Sequence, residues 1–320
     1  MIPRTKFACL PTPIEMLPRL SSFLGGPNIW VKRDDQTGLA TGGNKTRKLE
    51  FVLAEAQANG ARTLISVGAI QSNHCRQTAA MAAKFGFDCI LVLSGDEPGV
   101  KTGNLLLDHL FGAEIVWTTR DRREQTLKEV FDQAWADGRR PHLIPLGASD
   151  PTGTMGYRQA FFEAQESGLE FDWMVFASSS GGTHAGLALG AAEKNWQGKV
   201  LGISIDAEED ELKQKVAGLV NAASDKYSLG VKIEPVNILV NADYLGAGYA
   251  ILGEPEKEAI RLFARMEGLL LDPVYSGRAA AGMIDLIRKG YFRREDRVLF
   301  WHTGGQAALF AETYAEALSE

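Results

Sequence analysis

The chain has few cysteines and no long apolar run, and each absence removes a class of protein. Its three cysteines, Cys9, Cys75 and Cys89, are scattered, so they form neither a disulfide framework nor a CxxC metal site. No apolar run approaches the ~18 residues that cross a bilayer. The N-terminal segment 1–6 is not followed by the apolar stretch of a secretory signal. We therefore expect a protein of a reducing cytoplasm without a membrane segment.

The chain also lacks a strong excess of positive charge and the motifs of several enzyme classes. Its net charge is −6 and it has no long basic run, which argues against a nucleic-acid partner. The five histidines show no HExxH or other metal-ligand spacing, so we expect no metal site. The GxSxG turn of serine hydrolases and the GxxxxGK[ST] loop of P-loop ATPases are absent as well.

What the sequence does contain is an alternation of strand-like and helix-like segments over most of its 320 residues, enough for two domains. The strand segments are continuously apolar, which favours parallel sheets covered on both faces, as in an α/β protein. The predicted strands are 28–32, 63–67, 89–93, 114–117, 142–145, 173–177, 200–205, 236–240 and 298–301. The predicted helices are 44–59, 71–85, 103–111, 121–136, 211–223, 255–267 and 276–289, with one after the Ser/Gly-rich turn at 178–182 and one after Gly305.

The segment Thr41 to Glu50, TGGNKTRKLE, is the most informative of the chain. Asn44 is a preferred N-cap residue, which places Lys45 in the first turn of the predicted helix. The unpaired N–H groups and the positive end of the helix dipole disfavour a protonated lysine there, as does burial. A lysine that loses its proton easily is a nucleophile for Schiff-base formation with a carbonyl compound such as pyridoxal phosphate. The alternative is an ordinary surface lysine with its amine in water.

Open parallel sheets bind ligands at the carboxyl ends of their strands, so the loops after Val67, Ala177 and Trp301 matter most. The first, GAIQSNH, carries Gln71, Ser72 and Asn73, which suit an anion such as a carboxylate or simply cap a helix. The second, SSSGGTHAG, combines hydroxyls and glycines at a helix start, which favours a phosphate over a dinucleotide because GxGxxG is absent. The third, HTGG, carries Thr303.

Two tyrosines lie in loops that are candidates for the same site. Tyr275 precedes a predicted helix in DPVYSG, and Tyr249 lies in the glycine-rich AGY loop. Taken singly, either tyrosine is as readily explained by packing. Together with a reactive lysine, a phosphate loop and an anion-binding turn, they form the set that a pyridoxal phosphate enzyme requires.

Five ordered motifs, GGNKTRKLE, GAIQSNH, SGGTHAG, DPVYSG and HTGG, resemble the fold-type II pyridoxal phosphate family of 1-aminocyclopropane-1-carboxylate deaminase and D-cysteine desulfhydrase. The resemblance covers nearly the whole chain. It implies a tryptophan synthase β-like fold of two open twisted parallel-sheet α/β domains with the active site between them. It further implies a large cofactor-binding domain of residues 1–47 and 158–320, a small domain of residues 48–157, and a homodimer.

The resemblance also implies a role for each motif residue. Lys45 is the expected Schiff-base lysine, Lys48 supports the phosphate region, and Asn73 bonds the ring hydroxyl of the cofactor. The expected phosphate ligands are Ser180, Gly181, Gly182 and Thr183. Gln71 and Ser72 are expected to hold the substrate carboxylate, with Ser72 assisting proton transfer, and Asn73 is expected to contact the substrate as well. Tyr249 and Tyr275 act on the substrate as acid–base or orienting groups. His74 and Arg76 follow this turn, and we expect them to be solvated helix residues, the alternative being a contact with a sulfonate.

Ser276 and Thr303 distinguish between branches of the family that this chain resembles. The deaminases carry glutamate after the tyrosine of DPVY and leucine in place of Thr303, whereas the desulfhydrase-like members carry a small hydroxyl residue and threonine. A neutral Thr303 hydroxyl does not hold a proton on the pyridine nitrogen as a carboxylate does, so the ring withdraws electrons less strongly. That suits β-elimination, in which the leaving group carries electrons away, better than ring opening.

The predicted reaction is therefore α,β-elimination from a small β-substituted amino acid, giving pyruvate, ammonia and a sulfur leaving group. Sulfide from D-cysteine and sulfite from L-cysteate both fit, since cysteate sulfo-lyases share the TGLATGGNKTRKLE style of motif. Chloride and a β-amine remain as other leaving groups. The competing hypotheses are a cyclopropane deaminase and a non-enzymatic protein that binds pyridoxal phosphate.

Overall fold

The computed structural model describes residues 2–319, which form two sheets of mostly parallel strands with helices on both faces. The strands are β1 (Ile14–Met16), β2 (Asn28–Lys32), β3 (Thr63–Ala69), β4 (Asp88–Ser94), β5 (Glu114–Thr118), β6 (Pro141–Ile144), β7 (Trp173–Ser178), β8 (Lys199–Ser204), β9 (Leu239–Asn241) and β10 (Arg297–Trp301). The helices are α1 (Pro18–Leu24), α2 (Asn44–Ala58), α3 (Asn73–Phe85), α4 (Gly103–Leu110), α5 (Arg123–Ala136), α6 (Pro151–Glu166), α7 (Gly182–Glu193), α8 (Glu209–Tyr227), α9 (Glu254–Glu267), α10 (Ser276–Arg288) and α11 (Glu312–Ser319).

The larger sheet has the strand order β1-β2-β10-β7-β8-β9, in which only β1 runs antiparallel to its neighbour. The smaller sheet has the order β5-β4-β3-β6 and is parallel throughout. Parallel strands direct all their carboxyl ends to one edge of a sheet, which collects the loops that follow them. The predicted α/β class with two parallel sheets is confirmed.

Side-chain alternation along the strands explains why both faces of each sheet are covered. Within the smaller sheet, Leu64 and Leu91 pack into one core, whereas Ile65 and Ile90 pack into a second core on the opposite face. Successive strand residues point to opposite faces, so a strand that is apolar throughout requires a cover on each side. The continuous apolar runs of the sequence therefore predicted this arrangement correctly.

Several short segments differ from the predicted elements. Residues 235–237 form a 3₁₀ turn, so β9 begins at Leu239, because Pro235 has no N–H to donate to a sheet. The predicted helix after Gly305 is a 3₁₀ turn over Gln306–Phe310 followed by α11. The short elements β1 and α1 were not predicted at all.

Helix α6 is the largest element that the sequence patterns did not indicate. Its start carries strong signals, since the Asp150 carboxylate caps Gly153 N at 2.6 Å and Pro151 occupies the first helical turn. Two glycines in its first half obscure those signals. Gly156 is required because a Cβ there would lie 2.6 Å from the backbone of Arg47, where α6 crosses α2.

A buried polar network holds α2 against the larger sheet. The Asp34 carboxylate accepts hydrogen bonds from Arg47, from Tyr157 Oη at 2.6 Å and from Trp301 Nε1 at 2.8 Å. Arg47 also pairs with Glu163 of α6 at 2.9 Å. Both Asp34 and Arg47 are fully buried, and removing either partner would leave an uncompensated charge in the core. The network therefore positions the first turn of α2, which carries Lys45.

The domain limits implied by the resemblance, 1–47 with 158–320 and 48–157, remain a proposal. The two sheets are separate in the chain, with strands β3 to β6 all lying between residues 63 and 144. The implied cuts fall inside α2 and α6.

Candidate active site

A cavity of about 450 Å³ lies at the carboxyl ends of both sheets. The loops after β3, β7 and β10 all contribute to its wall, so the three loops singled out in the sequence are brought together. Its lining includes most of the predicted site residues: Lys45, Ser72, Asn73, Ser180, Gly181, Thr183, Tyr249, Tyr275 and Thr303. Its volume is within the usual range for small-molecule sites.

Lys45 lies in the first turn of α2 with its side chain partly buried in the cavity wall. Burial lowers the pKa of Lys45 to about 8; the negative charge of Asp272 opposes this shift, and the positive charge of Arg76 adds to it. None of the described residues forms a hydrogen bond that would hold its charged form. A minor fraction of this amine, far larger than for an ordinary lysine, is therefore unprotonated and nucleophilic near neutral pH.

The prediction that Asn44 caps this helix is wrong. The capping position is occupied by Gly43, and Asn44 is the first helical residue, whose side-chain amide donates instead to Thr183 Oγ1 at 3.0 Å. At this capping position the backbone φ is 122°, and a Cβ on Gly43 would lie 2.5 Å from Gln77 Nε2. The position therefore accepts glycine and excludes any residue with a side chain, asparagine included. The consequence is a direct link between the start of α2 and the loop after β7.

The loop after β7 forms a cup of small residues. Gly181 adopts a left-handed backbone conformation and Gly182 begins α7, so unpaired helix N–H groups face the cavity beside the Ser180 and Thr183 hydroxyls. Ser180 Oγ lies 2.7 Å from Ser149 Oγ, which also accepts a hydrogen bond from Gly182 N at 3.2 Å. Hydroxyls and free N–H groups at a helix N-terminus are suited to bind a phosphate dianion.

Lys48 lies directly behind this cup. Its Nζ donates to the carbonyl of Gly147 at 3.1 Å and to Ser149 Oγ at 3.3 Å, and the side chain is fully buried. A Cβ at Gly182 would lie 2.8 Å from Lys48 Nζ, so the glycine permits this close approach. Burial holds the pKa of Lys48 well below its ordinary value. A dianion bound in the cup would favour the charged form of Lys48 and so raise this pKa.

The turn after β3 places Ser72 and Asn73 in the cavity, but not the side chain of Gln71. Ser72 caps α3 by accepting from Cys75 N at 3.2 Å. Asn73 Oδ1 accepts from Asn104 Nδ2 at 3.0 Å, which leaves the amide nitrogen of Asn73 available as a donor. The Gln71 amide is instead hydrogen bonded to Thr102 and Asn104.

The prediction that His74 and Arg76 are solvated helix residues is wrong. Both are buried, because α3 lies between the smaller sheet and the first turn of α2. Arg76 donates to the carbonyl of Gly42 at 2.8 Å and to Asn104 Oδ1 at 2.9 Å, so it braces the glycine turn before Lys45. His74 Nε2 lies 2.8 Å from Ser66 Oγ, and burial holds the pKa of this histidine well below its ordinary value.

The two loop tyrosines meet in the cavity. Tyr249 Oη and Tyr275 Oη are 2.6 Å apart, and their rings pack edge to face with centroids 6.1 Å apart. Burial raises the pKa of both phenols, that of Tyr275 well above its ordinary value. Both are therefore neutral at physiological pH, and one hydroxyl donates to the other.

Thr303 lines the cavity, whereas Ser276 does not. Ser276 Oγ donates to Asp272 Oδ1 at 2.7 Å, and Asp272 also accepts from the backbone N–H groups of Val274, Tyr275 and Ser276. This buried carboxylate caps the start of α10 and sets the backbone that carries Tyr275. The Asp-Pro pair four residues before the helix is the sequence signal for Asp272, which was not predicted as a site residue.

Two further residues of the site were not singled out in the sequence. Ser149 completes the cup after β7, and Asn104 orients Asn73. Ser149 reaches the site from the loop before α6 and Asn104 from the first turn of α4, and no spacing within the sequence indicates such distant contacts. No group of three or more His, Cys, Asp or Glu side chains in residues 2–319 is arranged to hold a metal ion. Within the same range, no helix is long and apolar enough to cross a membrane.

The two ends of the cavity suit the two reactive groups of a phosphorylated aldehyde: one end carries an amine for the aldehyde and the other carries donors for the phosphate. An amine with a lowered pKa lies in one wall, a cup of N–H and hydroxyl donors in another, and an oriented amide nitrogen between them. This fold and site define an enzyme that uses pyridoxal phosphate. The residues present fit this cofactor, because glycine is retained at position 182, where a Cβ would close the cup.

The chain belongs to the pyridoxal-phosphate dependent enzyme family, whose model matches residues 6–304. It is 43% identical over 318 residues to D-cysteine desulfhydrase of Klebsiella pneumoniae (strain 342), which covers 97% of this chain and 96% of that protein. A crystal structure of an ACC deaminase homologue superimposes with a TM-score of 0.91 at 38% identity, covering 99% of this chain and 96% of that one. Processed threonine deaminase isoform 2 from Solanum lycopersicum shares the fold, with a TM-score of 0.70 at 16% identity over 98% of this chain and 83% of that one.

Proposed function

We propose that the protein catalyses α,β-elimination from a small β-substituted amino acid, with pyruvate, ammonia and a sulfur leaving group as products. D-Cysteine, which releases sulfide, is the first candidate substrate because of the 43% identity with D-cysteine desulfhydrase over nearly the whole of both chains. The observation that carries the proposal is Thr303 in the cavity wall, because a neutral hydroxyl at this position, unlike a carboxylate, does not keep the cofactor ring protonated.

In this proposal the cofactor would be held at four points. Lys45 forms the covalent bond to it, and the N–H and hydroxyl groups of Ser180 to Thr183, backed by Lys48, bind its phosphate. Asn73 donates its free amide hydrogen to the ring hydroxyl, and Thr303 faces the ring nitrogen. When bound, pyridoxal phosphate withdraws the electrons that remain on the α-carbon after it loses its proton.

The substrate carboxylate binds at the start of α3, where the Ser72 hydroxyl and unpaired helix N–H groups offer donors. Gln71 belongs to this group by the family resemblance, and its bonded side chain leaves only its backbone for the role. The released amine of Lys45 takes the α-proton from one face. On the other side the Tyr249–Tyr275 pair holds a proton for the leaving group or orients it, with Ser72 assisting proton transfer.

Cyclopropane ring opening is the second candidate, favoured by the structural similarity to an ACC deaminase homologue. Thr303 argues against it, because ring opening requires stronger electron withdrawal than elimination. A non-enzymatic role is disfavoured by the lowered pKa of Lys45 and by the presence of most of the predicted site residues in one cavity.

A panel of amino acids tests the proposal directly. The holoenzyme is incubated with D- and L-cysteine, L-cysteate, β-chloroalanine and 1-aminocyclopropane-1-carboxylate, and pyruvate, sulfide, sulfite and 2-oxobutanoate are measured separately. We expect pyruvate with an equal amount of sulfide or sulfite, and its loss in Lys45→Ala together with the covalently bound cofactor. Production of 2-oxobutanoate at a rate equal to that of pyruvate would support the deaminase instead, and no turnover of any compound would support a binding protein.

We further propose a cytoplasmic homodimer. The three scattered cysteines suit a reducing compartment, since Cys75 and Cys89 are buried and unpaired. Sedimentation equilibrium of the holoenzyme tests the dimer; a mass equal to that of one chain at micromolar concentration would reject it.

A further inference from the structure

The outer wall of the cavity carries positive charge that the proposed cofactor and carboxylate contacts do not use. It is built by the loops after β4 and β5, which contribute Ser94, Gly95, Asp96, Thr119, Arg120 and Arg123. Arg120 and Arg123 come from one short turn at the end of the edge strand β5. Arginine in the wall of a substrate cavity offers a planar fork of donors suited to an oxyanion.

The charges of these two arginines are weakly compensated within the described residues. Arg123 has one ion pair, with Glu124 at 3.7 Å, and the Glu124 side chain is 80% exposed. Arg123 Nε is buried and has no hydrogen-bond partner among the described residues. Arg120 is exposed at the cavity mouth.

Two carboxylates share the cavity wall with these arginines. Asp206 accepts a hydrogen bond from Ser179 Oγ at 2.8 Å, and Asp96 is exposed. In the described range neither forms an ion pair with Arg120 or Arg123. The two carboxylates balance the two arginines over the wall as a whole, so the attraction for an entering anion is local to the turn that carries Arg120 and Arg123.

The strand order places the turn with Arg120 and Arg123 within reach of a substrate whose carboxylate is bound at Ser72. The smaller sheet runs β5-β4-β3, so the turn after β5 lies two strand spacings, about 10 Å, from the turn after β3. An arginine side chain spans much of that distance. A substrate whose α-carboxylate contacts Ser72 can therefore direct its β-substituent toward the arginine turn.

We propose that Arg120 and Arg123 form a second anion subsite, which recognises a β-substituent carrying a full negative charge, such as a sulfonate. This inference rests on the proposed elimination. In that reaction the α-proton passes to the enzyme, the β-substituent leaves with the electron pair of its bond to the β-carbon, and the resulting 2-aminoacrylate takes up water to give pyruvate and ammonia. For a sulfonate the leaving group is sulfite, and the arginines hold its charge before and after the bond breaks.

The test compares an anionic substrate with a neutral one in the same enzymes. We measure kcat/KM of the holoenzyme for L- and D-cysteate and for L- and D-cysteine in the wild type, Arg120→Gln, Arg123→Gln and the double variant. We expect the ratio of kcat/KM for cysteate to that for cysteine to fall at least tenfold in the double variant, mainly through KM. Arg123→Lys should recover part of the loss because it restores the charge. O-Phosphoserine, as a third substrate, separates recognition of a sulfonate from that of any oxyanion.

Arg122→Gln is the matched control, since Arg122 lies in the same turn, is exposed and is not part of the cavity wall. It should leave the ratio unchanged. As a readout independent of turnover, the melting temperature of the apoprotein, which cannot eliminate sulfite, should rise more with cysteate than with alanine, and the difference should disappear in the double variant.

The possible failures are distinguishable. Pyruvate from cysteine with no cysteate turnover, and no greater thermal shift from cysteate than from alanine, would overturn the subsite while leaving the elimination intact. An equal loss for both substrates in the double variant would also overturn it, because the arginines would then act on folding or on the shared chemistry. Absence of pyruvate from every compound, with the cysteate shift retained, would reject the elimination but not anion binding.

Discussion

Lys45 combines a functional advantage with a cost in stability. Its pKa of about 8 in the folded protein, against 10.5 for an ordinary lysine, arises chiefly from burial. The unfolded chain therefore binds more protons between pH 8 and pH 10.5, and the free energy of unfolding of the apoprotein should rise with pH across that window. Below pH 8 the full cost is present, since the amine is protonated in both states.

Replacing Lys45 by methionine should remove this cost. Each tenfold change in an acid dissociation constant corresponds to about 1.4 kcal/mol, and allowing for partial exposure we expect the Lys45→Met apoprotein to be ~2 kcal/mol more stable at pH 7. The gain should shrink toward zero as the pH approaches 10.5. Urea unfolding at a series of pH values measures it, with the exposed Lys84→Met as control. A gain that does not change with pH would show that packing, and not charge, is responsible.

The tyrosine pair is the second feature at the residue scale, and the proposed function gives it a role in proton transfer. Tyr275→Phe removes one of two hydroxyls that are 2.6 Å apart and leaves the Tyr249 hydroxyl without its partner. If the pair moves or holds a proton, kcat for elimination should fall by about 10²- to 10⁴-fold with little change in the far-ultraviolet spectrum. Tyr227→Phe removes a hydroxyl that contacts Thr152 in another part of the chain and should leave kcat unchanged. A loss in Tyr275→Phe that is confined to KM would assign the tyrosines to binding only.

At the scale of elements, Arg278 of α10 fixes the loop that carries Tyr249. Its guanidinium is buried and donates to the carbonyls of Leu245, Gly248 and Ile251, and it pairs with Glu256 at 2.7 Å. A lysine has one donor centre and cannot reach carbonyls in several directions. The loop is thus held by one side chain in place of regular secondary structure.

Arg278→Lys should therefore loosen this loop while keeping the charge. We expect a loss of about 2–3 kcal/mol in the free energy of unfolding, since several buried carbonyls lose their donor, together with a lower kcat. Urea unfolding and steady-state kinetics measure the two effects. Arg288→Lys, at an exposed ion pair on the same helix, is the control and should change neither by much. Wild-type kcat in Arg278→Lys would show that the Tyr249 loop does not need this anchor.

The elements that the sequence predicted well are those whose signal lies within the segment. Strands such as β3 and β4 are apolar throughout, and the glycine pair before Lys45 marks a backbone that only glycine adopts at that contact. The Asn44 cap was wrongly predicted because asparagine suits two roles, and its contact with Thr183 depends on the fold. Local propensity does not report a tertiary partner 139 residues away.

At the scale of the whole molecule, the sequence predicted which strand ends meet but not what braces them. The prediction that Arg76 is solvated was wrong for this reason. Its burial is stabilised by a hydrogen bond to the carbonyl of Gly42, which lies 34 residues earlier in the chain. Ser149 was missed in the same way, since its partner Gly182 lies 33 residues further along the chain. Asp272 is different, because its partners lie within four residues of it and its signal is local.

The cavity is lined by residues that follow strands of both sheets, so a bound ligand should stabilise the molecule as a whole. A ligand that binds only the folded state contributes about 2.7 kcal/mol at a hundred times its Kd. The melting temperature of the apoprotein should therefore rise most with pyridoxal phosphate, which in the proposed arrangement would occupy both the lysine end and the phosphate cup. It should rise less with inorganic phosphate, which would occupy only the cup, or with pyridoxal, which would occupy only the lysine end.

Gly182→Ala tests ligand binding at the phosphate cup independently of ligand binding at Lys45. A Cβ at this position would lie 2.7 Å from Ser149 Oγ and 2.8 Å from Lys48 Nζ, so it would narrow the cup without touching Lys45. We expect this variant to lose the thermal shift with phosphate and most of that with pyridoxal phosphate, while the shift with pyridoxal is retained. Gly218→Ala, at an exposed helical position with nothing within 4 Å of the added Cβ, is the control and should keep all three shifts. An unchanged phosphate shift in Gly182→Ala would mean that the phosphate binds elsewhere in the cavity, and the assignment of the Ser180 to Thr183 loop would have to be given up.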